Sequence, residues 1–424
     1  MGMIRRREFL RRGTFAAIAA SSLRARAALK SAMGPRVLIV GGGFAGAACA
    51  LELRRLNPRI DVALIDPDAS YITCPMSSEV ITGSRTLQSL TITRDGLRHA
   101  GVRYIRDRAA AVDAASRTVS LQSGSALHYD RLVMAPGIRL LWNTPEGYDQ
   151  DSAARMPHAW QAGAQTALLA GQLHAIPQGG TLAISVPAGL MRCPPGPYER
   201  ASLIAHWLKR HRARSKLLIL DSNNHFPRQD VFTAAWQELY PGMIEWIPAT
   251  QGGAVTRVDA RNLILYTSLA EHRVAVANVI PPQAPGQIAL DAGLATGHGW
   301  CPIKPLSFES QLSQNIHVIG DACIAGAMPK SASAALGQAR QCGAAIAALL
   351  ADRAPPEPSF DSVCYSAVEP GRALAIRGKF AVSDGDIRQV ESADATPADT
   401  RASAAHAREA RDWYQRIRSA SFGS

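Results

Sequence analysis

A glycine cluster set between two short apolar runs constrains this chain more than any other feature. Arg36-Val37-Leu38-Ile39-Val40 leads directly into Gly41-Gly42-Gly43-Phe44-Ala45-Gly46. The stretch to Leu56 has helical composition, and Val62-Ala63-Leu64-Ile65 is a second strand ending at Asp66. Strand, G-x-G-x-x-G, helix, strand and acid within one βαβ unit form a dinucleotide-binding fingerprint. Gly41 permits the tight turn, Gly43 lets the backbone approach a pyrophosphate, and Gly46 allows close helix–sheet packing, with Ala45 inside the same cradle. The helix N-terminus offers free N–H groups to the anion, and Asp66 is placed to hold ribose hydroxyls.

Two later segments point to FAD rather than NAD. Leu132-Val133-Met134-Ala135-Pro136-Gly137 is a strand running into a Pro-Gly turn, and Ile316-His317-Val318-Ile319-Gly320-Asp321 is an apolar strand ending in Gly-Asp. They resemble the second and third cofactor contacts of flavoproteins with two dinucleotide domains. Ala135, Gly137, Gly320 and Asp321 therefore join the cofactor set, Asp321 at the ribityl or phosphate region.

A second βαβ unit has lost its fingerprint. Thr181–Val186 and Lys216–Asp221 read as strands, with a helix near Tyr198–Arg212. The connecting turn, Pro187 to Pro197, holds Cys193-Pro194-Pro195-Gly196-Pro197. Prolines remove amides that would face phosphate and cannot form the tight glycine turn, so NAD(P)H is not expected to bind.

The fold class is α/β, with two Rossmann-like dinucleotide-binding domains and a C-terminal α+β interface domain. The FAD domain is discontinuous, over 33–146 and 288–353, and the degenerate NAD-like domain covers 147–287. Pro355-Pro356-Glu357-Pro358 links to the interface domain at 354–424. The tail from Ser383 to Ser424 is polar and Ala-rich, and reads as lacking an amphipathic helix with a broad apolar face.

The chain's charge is concentrated at its start. Of the net +12, residues 1–30 carry +7 (eight basic side chains against Glu8), leaving +5 for the rest. Arg6-Arg7-Glu8-Phe9-Leu10, the small apolar stretch to Leu23 and Ala25-Arg26-Ala27 match a twin-arginine export signal over 1–32. That places the protein in the periplasm. No later run approaches the roughly 18 apolar residues of a membrane span, so no stable membrane insertion is expected. An aromatic content of 6%, and no basic run after residue 30 denser than Lys209-Arg210-His211-Arg212-Ala213-Arg214, argue against a nucleic-acid platform.

Seven cysteines occur, at 49, 74, 193, 301, 323, 342 and 364, with no C-x-x-C pair, which excludes zinc ribbons and attached c-type haem; no metal site is expected. Cys49, Cys342, Cys301 and Cys323 read as structural. Cys193 differs: Arg192 and an oncoming helix N-terminus are expected to lower its pKa and favour thiolate.

Arg192-Cys193-Pro194-Pro195-Gly196-Pro197-Tyr198-Glu199-Arg200-Ala201, Tyr240 to Trp246, Gly299-Trp300-Cys301-Pro302 and Ile316 to Lys330 resemble one family. It is the flavoprotein subunit of flavocytochrome c sulfide dehydrogenase, and the likeness runs from Pro35 to Phe422-Gly423, departing at Leu336-Gly337. The resemblance implies a thioether from Cys74 to FAD, and a redox-active disulfide between Cys193 and Cys364 at the flavin. It further implies hydrosulfide, a small inorganic sulfur substrate, attacking that bond, with electrons passing through FAD to a separate c-type cytochrome. Glu199 is either an acid–base group with a pKa raised by desolvation or an ordinary helix acid. Alternatives are a sulfide:quinone oxidoreductase, an NADH-type disulfide reductase, and a non-catalytic redox-binding subunit supporting a cytochrome complex.

Overall fold

The computed structural model describes residues 34–295, 299–392 and 401–423. The twin-arginine segment expected over 1–32 lies outside them, as do residues 393–400 of the tail.

The first unit is built from β1 (Arg36–Val40), α1 (Phe44–Leu56), β2 (Asp61–Ile65), the short α2 (Ser77–Ile81), β3 (Arg103–Ile105) and β4 (Arg131–Met134). β1 pairs in parallel with β2 on one side and β4 on the other. Val37, Leu38 and Ile39 are wholly buried, because a parallel strand covered on both faces has no solvent side on which to alternate.

The second unit contains β5 (Thr181–Val186), α3 (Gly196–His211), β6 (Lys216–Asp221), β7 (Ile244–Ile247) and β8 (Val276–Val279). These strands form one parallel sheet in the order β7-β6-β5-β8. The bounds of β5 and β6 match the sequence reading residue for residue. The chain then returns through β9 (Ile316–Val318), which pairs in parallel with β4 and completes a first sheet ordered β9-β4-β1-β2-β3. α4 (Ala332–Leu349) follows and packs closely on α1, where a Cβ at Gly343 would stand 3.0 Å from Glu52. Cys49 and Cys342 are fully buried in this core, as their packing role requires.

The third unit is an antiparallel meander of β10 (Ser359–Glu369), β11 (Arg372–Ser383) and β12 (Asp386–Ser392). Along β10 the even positions Phe360, Ser362, Ser366 and Val368 are buried, the period-2 alternation of a one-sided sheet. Cys364 falls on that inward face.

The tail departs from the sequence reading. α5 (Ala404–Phe422) is an amphipathic helix that buries His406, Ala407, Ala410, Trp413, Tyr414, Ile417 and Phe422. Its buried stripe follows i, i+3, i+4 spacing, but the first turns offer only His406, Ala407 and Ala410, and the large apolar side chains begin at Trp413. The stripe packs into the body: Phe422 lies 5.4 Å from the Tyr71 ring and 5.2 Å from Phe44. No described helix is long and apolar enough to cross a membrane.

Candidate active site and cofactor cavity

A cavity of about 730 Å³ opens where the three units meet, within the size range of cofactor pockets. Gly41, Gly43, Ala45, Asp66, Ala135, Gly137, Gly320 and Asp321 line it, and so do Cys74, Cys193, Glu199 and Cys364. Gly46 is not on the wall. A Cβ there would collide with the Gly41 carbonyl, which is the close-packing role read from the sequence.

Gly41 adopts φ +101°, and a Cβ on it would strike the Ala135 carbonyl. Only glycine takes this turn without strain. Gly43 meets nothing nearer than the Tyr71 ring at 3.7 Å, and no side chain caps α1 there. The helix N-terminus is left open to an anion. Asp66 is less free than expected: Oδ2 accepts Gly42 N–H at 2.6 Å, and Oδ1 accepts from Arg94 at 3.0 Å and from Asp68 N–H at 3.0 Å. Arg94, absent from the sequence reading, is a buried cation under the glycine loop. Asp321 is pushed above the usual carboxyl range by burial, against the pull of Arg192 and Lys330.

At the sulfur end, the Pro-rich turn folds Cys193 into the left-handed region at φ 52°, and its N–H donates to Lys330 O at 2.8 Å. Gly196 is glycine because a Cβ there would sit 2.8 Å from the Trp160 ring and 3.1 Å from the Cys193 sulfur. β10 brings Cys364 to the same wall, fastened by Val363 N–H to Ser333 Oγ at 3.0 Å. Both cysteines are free thiols here, and the Cys364 charge is near enough to raise the Cys193 pKa.

Their acidity corrects the sequence reading. Cys193 is not a depressed thiol: burial, then the Glu199 and Cys364 charges, raise its pKa, and Arg192 offsets only part of this. Cys364 is pushed up to about 11 by burial and by Glu199, although a Ser331 hydrogen bond works the other way. Glu199 itself rises to about 8, first through burial and then through the Glu79 carboxylate, against the Ala367 N–H and Arg200. Arg192 donates to the Trp160 carbonyl rather than capping the thiol. Cys74 lies nearby, its sulfur 3.8 Å from Trp160 O. Leu336, where the family resemblance departs, lies away from this wall in a shallow groove beside α1.

In the second unit, Asp221 closes β6 as Asp66 follows β2. Its carboxylate is fully buried and accepts from Tyr198 OH at 2.6 Å and Trp246 Nε1 at 2.9 Å. Tyr198 stacks on Phe226 at 3.7 Å, so aromatic rings occupy the end of this strand.

Comparison with known proteins agrees with the geometry. Residues 166–281 match the central region of the sulfide dehydrogenase [flavocytochrome c] flavoprotein chain, and 356–422 match the flavin-binding region of flavocytochrome c sulphide dehydrogenase. Residues 35–159 match the pyridine nucleotide-disulphide oxidoreductase family. The flavoprotein chain from Chlorobaculum thiosulfatiphilum is 51% identical over 45 residues, 11% of this chain and 94% of that sequence. Sulfide-quinone reductase of Aquifex aeolicus is 28% identical over 186 residues, 44% of this chain and 42% of that one, so the match spans less than half of that relative. The solved sulfide:quinone oxidoreductase of Aquifex aeolicus shares the fold, with TM-score 0.71 at 18% identity over 92% of this chain and 93% of that one. The uncapped α1 terminus and glycine cradle fit a dinucleotide, and the matched flavin-binding region makes that dinucleotide FAD. The chain belongs to the flavoprotein family of flavocytochrome c sulfide dehydrogenase.

Proposed function

We propose that this chain is a periplasmic flavoenzyme that oxidises hydrosulfide through a Cys193–Cys364 disulfide and delivers the electrons to a c-type cytochrome. The observation that carries this reading is the convergence of Cys364 with Cys193 and Glu199 on the wall of one cofactor cavity, from two distant parts of the chain. In the oxidised enzyme, hydrosulfide attacks one sulfur of the bridge. A new sulfur–sulfur bond forms, the 193–364 bond breaks, and the other cysteine departs as a thiolate carrying the electron pair. The attacked cysteine is left as a persulfide, with the sulfide sulfur oxidised to the sulfane level. Buried thiolates of raised pKa are strong bases, so Glu199, protonated below about pH 8, is the acid that holds a proton for the departing sulfur.

Gly41, Gly43, Asp66 and Asp321 hold the cofactor, and Cys74 is the residue placed to tether it. FAD, when bound, accepts electrons as a pair and releases them singly, which suits a haem acceptor. The aromatic closure over Asp221 and the prolines before Tyr198 support the exclusion of NAD(P)H from the second unit. The burial of the α5 stripe within the body favours a soluble cytochrome over a membrane quinone. Anaerobic addition of sulfide tests the reading. Bleaching of the flavin, followed by reduction of added cytochrome c, supports it. An unchanged flavin spectrum points to a binding subunit, and electron delivery to a short-chain quinone but not to cytochrome c points to the quinone reductase.

A further inference from the structure

Arg94 is 1% exposed and does not itself line the cavity or take part in the hydrosulfide chemistry. It lies between the strand Thr91–Thr93 and the helix Asp95–His99, and reaches under the glycine loop. Its guanidinium donates to the Gly42 carbonyl, to Asp66 Oδ1 at 3.0 Å and, more weakly, to the Asp68 carbonyl at 3.4 Å. The rings of Tyr71 and Tyr104 lie 5.9 and 5.6 Å away. A buried guanidinium is tolerated only when its charge is matched and its fork is filled, and Asp66 is its ion-pair partner. The other Asp66 oxygen accepts the Gly42 N–H at 2.6 Å. Arg94 therefore holds the Gly42 carbonyl, and Asp66 holds the Gly42 amide. The triangle also explains the middle glycine of Gly41-Gly42-Gly43: a Cβ at Gly42 would lie 2.8 Å from the guanidinium. Gly42 and Asp66 both face the cavity, whereas Arg94 stands behind them.

We propose that Arg94 is a positioning residue for the adenosine half of FAD, fixing Asp66 for the ribose hydroxyls and setting the Gly42 peptide beside the diphosphate. The proposal rests on the FAD assignment and is independent of the sulfur chemistry. Arg94 acts largely through Asp66, so most of its contribution disappears when Asp66 loses its charge.

The test uses the full chain carrying Cys74→Ala, so that flavin exchange is reversible, after removal of the cofactor. ADP binding is read by calorimetry, and FAD and FMN binding by flavin fluorescence. Arg94→Met weakens ADP and FAD by roughly 10- to 100-fold, the range of a charge-assisted hydrogen bond, and FMN by less than about threefold. Added to Asp66→Asn, the same change costs less than about threefold more. Arg94→Lys, which keeps the charge and loses the fork, weakens ADP by several-fold on the order expected for one lost bidentate contact. Losses that add in the double variant, or an FMN affinity that falls as far as that of FAD, would overturn the proposal. So would Arg94 variants that fail to fold while Asp66→Asn folds and binds ADP normally, since the guanidinium would then serve only the core. A parent protein that binds neither ADP nor FAD would instead remove the cofactor assignment.

Discussion

Replacing Glu199 with Gln removes a proton from the centre of the site while keeping its shape. The carboxyl is pushed up to about 8 and the Cys364 thiol up to about 11. Where Cys364 is the departing sulfur, proton transfer from Glu199 to its thiolate runs downhill by about three pH units, a factor of roughly 10³ in equilibrium. Gln has no such proton. Flavin reduction by sulfide, followed anaerobically by rapid mixing, is expected to slow by about 10²- to 10³-fold in Glu199→Gln. The sign of the pH dependence follows from which form acts. Glu199 is active when protonated, so the wild-type rate, corrected for the hydrosulfide fraction, is flat below about pH 8 and falls above it. In the variant that falling limb disappears. Glu79→Gln removes the negative neighbour that helps to raise the Glu199 pKa and moves the limb to lower pH. A Glu199→Gln rate within about threefold of wild type, or a corrected wild-type rate that climbs through pH 8, would refute this assignment.

Three further outcomes are expected, the first from the family resemblance and the others from the geometry. Acid precipitation leaves yellow colour in the wild-type pellet, and Cys74→Ala releases it to the supernatant. Phe422→Ala removes a fully buried ring that joins α5 to Tyr71 and Phe44; denaturant unfolding should show a loss of about 3–5 kcal/mol. NADH leaves the flavin spectrum unchanged at concentrations where sulfide bleaches it, because Tyr198 and Trp246 occupy the Asp221 carboxylate.

Much of the architecture is legible along the chain. Parallel strands buried on both faces are unbroken apolar runs, so Thr181–Val186 and Lys216–Asp221 stand out between turn residues. The glycine cradle is equally plain, because its G-x-G-x-x-G spacing follows directly on an apolar strand and opens a helix. What stays hidden is set by distant contacts. Local sequence suggests an acidic Cys193 beside Arg192, whereas burial and the Glu199 charge raise its pKa. Nothing around Arg94 marks it as the basic residue that folds beneath Gly42, since its partners are supplied by segments far away along the chain. Trp160 and Gly196 form part of the sulfur wall for the same reason, and α5 is disguised by its small and polar side chains.

Peptide mapping of the air-oxidised protein, alkylated without reductant, addresses the sulfur pair most directly. The Cys193 and Cys364 peptides should be recovered joined to one another, and one equivalent of sulfide should part them and leave one peptide heavier by a single sulfur atom. Recovery of both cysteines as alkylated, unlinked peptides from fully oxidised enzyme would contradict the proposed chemistry.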